Sequence, residues 1–131
     1  MAAFCFMKDI DTRHDLEVVL RSFYGSLLQD PAINYIFLDV AQTDLEQHMP
    51  HIVDFWEQSL FHKGSYRTNV MQVHMDINAK ETLTEKHFET WLAHFTLTVD
   101  SLHSGLNAEK MKTRALSIAT IMKIKLQNQA P

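Results

Sequence analysis

Glycine and proline are scarce, with three of each in 131 residues, so the chain has little of the punctuation that many short strands and tight turns require. The β-branched residues do not fall into alternating runs either, and a sheet protein is excluded on both counts. Cysteine occurs once, at Cys5, which rules out a disulfide framework and suits a reducing compartment. No apolar run approaches the roughly 18 residues of a membrane span, and the N-terminus lacks a basic stretch followed by an apolar one. These absences predict a soluble, cytoplasmic protein with no membrane partner. An excess of positive charge is missing as well. The 12 basic and 16 acidic residues leave a formal charge of −4 spread along the chain, and without a Lys/Arg stripe nucleic acid finds no electrostatic footprint. Gly-x-Ser-x-Gly, Gly-x-Gly-x-x-Gly, P-loop and His-Glu-x-x-His spacings are all absent, so none of these catalytic motifs supplies an active site.

What is present is helical periodicity. The length fits one all-α domain over 1–131, able to bury roughly two-thirds of its unfolded surface, with a ragged start over 1–11 and a frayed tail over 127–131. Leu16, Val19, Leu20, Phe23 and Leu27 share one stripe and predict a helix from Thr12 to Gln29, stopped before Pro31, with Tyr24 beside the stripe. Ala32 to Leu38 should form a helical corner that turns Ile36 and Phe37 inward. Thr43 and Glu46 have capping-box spacing, and the helix they open should reach Phe61. Its inward stripe reads Leu45, His48, Met49, Ile52, Phe55, Trp56 and Leu60, with His51, Asp54, Glu57 and Gln58 nearer water. Pro50 inside that helix predicts a kink or an irregular first turn.

Gly64 closes this helix, and a short segment from Val70 to Asp76 puts Val70, Val73, His74 and Ile77 on one face. Thr82 or Thr84 caps a further helix to about His103, with Phe88, Trp91, Leu92, Phe95, Val99 and Leu102 inside. Asn107 caps the last one, in which Met111, Ala115, Ile118, Ala119, Met122 and Leu126 recur. Eight histidines invite a metal. Yet His62, His87, His94 and His103 share no paired spacing and most are expected at the surface, and His48 with His51 lacks the further ligands that zinc needs. His74 differs, because an imidazole on an apolar face must be either hydrogen-bonded or coordinated. Periodicity leaves both open.

Taken as an ordered set, the residues resemble the truncated haemoglobins, in particular their third group, bacterial in type, over roughly Asp15 to Leu126. The matching pieces begin with Phe23-Tyr24, Ile36-Phe37, and His48 eight residues before Trp56 with Ile52 and Phe55 between. Gly64, Tyr66, His74, His87-Phe88, Trp91-Leu92, Phe95, Arg114-Ala115 and Ile118-Ala119 follow in order. The glycine pairs of the other two groups are absent, and Val70 stands near the place of the family's proline before the proximal histidine. The resemblance implies a globin-like two-over-two helical sandwich enclosing a non-covalent haem b, iron protoporphyrin IX. His74 would be its proximal metal ligand. Tyr24, His48 and Trp91 would form the distal pocket, and Phe37, Ile52, Phe55, Tyr66 and Val70 would line the cofactor. Arg67 and His51 would pair its propionates.

The implied chemistry is binding of dioxygen, nitric oxide or carbon monoxide at a pentacoordinate or weakly hexacoordinate iron. A ligand that gathers negative charge is held by donors, and the Tyr24 hydroxyl and Trp91 indole N–H can each contribute on the order of 1.5–3 kcal/mol. Slow release by a monomeric binding protein follows. The alternative is a redox enzyme, a nitric oxide dioxygenase or a peroxidase-like one. It would need a separate reductase, because the chain carries no flavin or nicotinamide motif. A helical interaction domain without cofactor is the third class.

Overall fold

Thr12 starts the first helix through a reciprocal pair of bonds. Its hydroxyl accepts from the Asp15 backbone N–H at 3.1 Å while the Asp15 carboxylate accepts from the Thr12 N–H at 3.2 Å. The helix so opened, α1, runs Arg13–Leu28 and is capped at Gln29, with Pro31 barring its continuation. The computed structural model describes residues 7–36, 45–62 and 83–129 of the chain. Three more helices follow there: α2 over Leu45–Phe61, α3 over Glu85–Leu102 and α4 over Leu106–Gln129. No strand occurs among the described residues.

The expected stripe of α1 is the centre of the core. Leu16, Val19, Leu20, Phe23 and Leu27 are fully buried, each contributing roughly 1.5–3 kcal/mol through the apolar surface it removes from water. α1 packs on α2 and α3, α4 packs on α3 and α2, and the helices form two paired layers around that core. The layers meet through Trp56 and Phe95, whose rings lie 5.3 Å apart. At the corner after α1, the Asp30 carboxylate accepts the Ala32 N–H at 2.9 Å and turns the chain so that Ile33 and Ile36 enter the interior.

In α2 the buried residues are Met49, Val53, Trp56 and Leu60. The expected stripe is therefore corrected at two places: Val53 belongs to it, and His48 is exposed. Ile52 and Phe55 flank it, half-buried. The helix passes through Pro50 without interruption, and the Pro50 carbonyl accepts from Arg13. It ends at His62, whose φ of 60° reverses the chain's handedness ahead of the expected stop at Gly64. Thr43 and Gly64 lie outside the described residues.

Both chain ends depart from expectation. Ile10 is fully buried, and Asp9 caps α4 from far along the sequence, its two carboxylate oxygens accepting the N–H groups of Asn107 and Ala108 at 2.9 Å each. The stretch from Lys8 to Asp11 is thus part of the fold rather than a ragged extension. Asn107 is not the cap. It lies in the first turn, and its amide donates to the Ile10 carbonyl at 2.7 Å. Gly105 leaves room for Asp9, with φ 142° and a site where a Cβ would stand 2.5 Å from the Asp9 Cγ. At the other end α4 continues to Gln129, into the stretch expected to fray.

Candidate functional site

Four of the expected site residues, Tyr24, Ile52, Phe55 and Trp91, share one physical condition. Each is packed against the core yet keeps part of its surface open. Tyr24 follows the core stripe of α1 by one position, so its ring leans out from the buried row. Ile52 and Phe55 lie beside the buried row of α2, and Trp91 beside that of α3. Stacked and edge-on rings connect them. Phe23 touches Tyr24 at 4.8 Å and Trp91 at 5.5 Å, Trp91 stacks on Phe95 at 5.3 Å, and Trp56 carries the chain of contacts to Phe55 at 5.3 Å. Contacts of this kind fix ring orientation beyond simple burial.

Burial pushes the Tyr24 phenol up to about 12, so the group keeps its proton. Trp91 carries a donor only. One residue that sequence reasoning missed lies on the same side of α2 as Ile52 and Phe55. Ser59, four positions beyond Phe55, has a buried hydroxyl oxygen with no hydrogen-bond partner among the described residues. A small polar residue in a helix gives no sequence signal of that kind.

His48 and His51 are both exposed on α2. His74, Phe37, Tyr66, Arg67 and Val70 lie outside the described residues. Among the described residues no three of His, Cys, Asp and Glu gather as a metal site, and no helix is long and apolar enough to cross a membrane.

Two of the four histidines of which most were expected at the surface are instead bridges. His87 is buried. Its Nδ1 accepts the Thr84 N–H at 3.0 Å, which leaves the proton on Nε2, 2.7 Å from the Tyr35 hydroxyl. His94 is half-buried, with Nε2 2.7 Å from Asp30 and Nδ1 2.7 Å from the Ser26 hydroxyl. The His94 bond, helped by the Ala32 N–H, holds the Asp30 carboxyl below its ordinary range. An ionised Asp30 can only accept, so Nε2 is the donor, and in the neutral ring Nδ1 takes the Ser26 proton. The order serine, histidine, aspartate is that of a hydrolase. Ser26 nevertheless sits within α1, where the helical ladder engages the neighbouring backbone N–H groups and leaves no pair to hold an oxyanion. The arrangement ties α1 to α3.

The fold is that of a truncated globin. Over 95% of this chain and 99% of the other, it superposes on the crystal structure of a group III truncated hemoglobin from Campylobacter jejuni, with TM-score 0.81 and 21% sequence identity. The expected all-α, globin-like architecture is met. No protein-family model matches the sequence, and neither does any curated protein.

Proposed function

We propose that this chain is a haem protein that binds a small diatomic ligand, dioxygen or nitric oxide, and releases it slowly. The observation that carries the proposal is the joint placement of Tyr24, Ile52, Phe55 and Trp91, half-buried on one core inside a fold shared with a group III truncated hemoglobin. In this reading His74 would hold the iron, Phe37, Ile52, Phe55, Tyr66 and Val70 would line the haem b, and Arg67 and His51 would pair its propionates. When bound, the cofactor would supply ferrous iron able to take up a diatomic gas.

The chain's own residues set how long that gas stays. The Tyr24 phenol, kept neutral by burial, offers its O–H to a ligand carrying partial negative charge, and the Trp91 indole offers its N–H. Two such donors together correspond to roughly a hundredfold or more in retention. Ile52 and Phe55 keep bulk water away from them. His48, exposed on α2, acts at the entrance rather than as an essential donor.

The visible spectrum of the purified protein tests this directly. A Soret band with about one haem per chain is expected, and His74→Gly should lose most of the haem or retain it in a form that added imidazole restores. An unchanged ferrous spectrum at full occupancy in that variant would remove His74 from its role. Absence of any Soret band after haem addition would remove the haem reading altogether.

A further inference from the structure

His87, Trp91 and His94 stand at i, i+4 and i+7 on α3 and so share one face of that helix. Both histidines on that face reach across to the same stretch of chain. His94 binds Ser26 and Asp30 at the end of α1, and His87 binds Tyr35 five residues further on. The Tyr35 ring also stands edge-on to His87 at 5.8 Å. Tyr24 lies two residues before Ser26, and the Phe23 ring fills the space between Tyr24 and Trp91. Trp91 is therefore held between two polar ties whose other ends belong to the segment carrying Tyr24.

We infer that His87 and His94 are positioning residues that fix Trp91 against α1 and so set the register between the Tyr24 and Trp91 donors. The inference rests on the haem reading only for its effect on gas binding, since the geometry concerns the protein alone. A tie at one end would let α3 pivot about the stacked Phe95. Ties on both sides of Trp91 stop that pivot. Because all three histidine bonds go to partners 52 to 68 residues away, they join two layers rather than stabilise a single helix.

Two readouts on the full chain test this. The first is the indole N–H resonance of Trp91 in protein labelled with 15N-tryptophan, assigned by its loss in Trp91→Phe. Tyr35→Phe and the double variant Ser26→Ala, Asp30→Ala break the ties from outside α3, so they serve even if substitution of the buried His87 prevents folding. Each should shift the Trp91 resonance and leave that of Trp56 in place, with exposed His14→Ala as the silent control. An unmoved Trp91 resonance in both variants overturns the inference, whatever the protein binds. The second readout is dioxygen dissociation from the haem-loaded protein. It should accelerate by roughly threefold or more in the same variants, the size of coupling expected between neighbouring groups. His94→Gln, which keeps a donor for Asp30, should hold the rate closer to wild type than His94→Ala does. A lowered melting temperature with both the resonance and the rate unchanged would mean that the ties only stabilise, and would also overturn the inference. If no haem binds, the functional reading fails while the resonance test still decides the positioning role.

Discussion

The Phe23 ring meets the Trp91 indole edge-on, at 88° and 5.5 Å, and its neighbour in sequence, Tyr24, packs on the same ring at 4.8 Å. One core side chain thus spaces the two groups assigned as ligand donors. Tyr24→Phe and Trp91→Phe are expected each to speed dioxygen dissociation by roughly tenfold or more, with a double-mutant cycle showing coupling because both donors serve one acceptor. Carbon monoxide, which gathers little negative charge, should respond far less. Stopped-flow dissociation of both gases measures this. Equal acceleration of the two would point to disturbed packing around Phe23. If nitrate formation or peroxide turnover with a supplied reductant falls in the same variants, the donors serve catalysis as well as retention.

His48 stands exposed at the start of α2, one turn before the half-buried Ile52. His48→Leu should change carbon monoxide association more than dioxygen dissociation, because a side chain at an entrance controls access. Flash photolysis and stopped-flow mixing distinguish the two rates. The reverse pattern would make His48 a principal donor.

Alkaline titration of Tyr24 has a definite sign. Its phenol ionises near 10 when unfolded and at about 12 in the fold, so between those values the native state holds a proton that the unfolded chain has released. Stability should be whole below pH 10 and decline as pH rises toward 12, by roughly 2–3 kcal/mol in all. Tyr24→Phe should flatten that decline. Denaturant midpoints at pH 9 and pH 11 in the two proteins decide it.

Asp9 should matter more than its place near the terminus suggests. Burial raises its carboxyl, but the N–H groups of Asn107, Ala108 and Ile10 outweigh that and hold it below the usual range. Its contribution is present above the ordinary carboxylate value and is lost as pH falls through the depressed one. Asp9→Ala is expected to cost about 1–2 kcal/mol at neutral pH, as loss of a helix cap does, and less in acid. Chemical denaturation at two pH values checks both parts.

The two described glycines should answer alanine oppositely. Gly25 lies in α1 with nothing within 4 Å of an added Cβ, and Gly25→Ala should stabilise by about 0.5–1 kcal/mol. Gly105→Ala would meet Asp9 at 2.5 Å on a backbone with φ 142°, and should destabilise by at least as much as loss of the cap. Melting temperatures of the two variants suffice.

The helices were readable because their signals are local. The start at Thr12, the five-residue stripe to Leu27 and Thr84 as one of two cap candidates each depend on a few neighbouring positions, and the structure keeps all of them. What periodicity misassigned depends on partners far away. His48 shares helical spacing with buried residues yet faces outward, because the α2 stripe that meets α1 is centred on Val53 rather than Ile52. His87 and His94 looked like surface residues until Tyr35, Ser26 and Asp30 were brought across to them. Asn107 had the right chemistry for a cap, but Asp9 brings the stronger acceptor. The half-open state of Tyr24, Phe55 and Trp91 is a property of packed layers, and no one-dimensional pattern distinguishes it from full burial.

The Asp9 cap also orders events during synthesis. Asp9 leaves the ribosome nearly a hundred residues before Asn107 and Ala108 are made. The first turn of α4 cannot gain its acceptor until most of the polypeptide exists and a long loop has closed. Ile10 waits on the same event for its burial. The segment around Asp9 and Ile10 therefore waits for α4, and a nascent protein halted before α4 would still display that apolar side chain to whatever binds unfinished proteins.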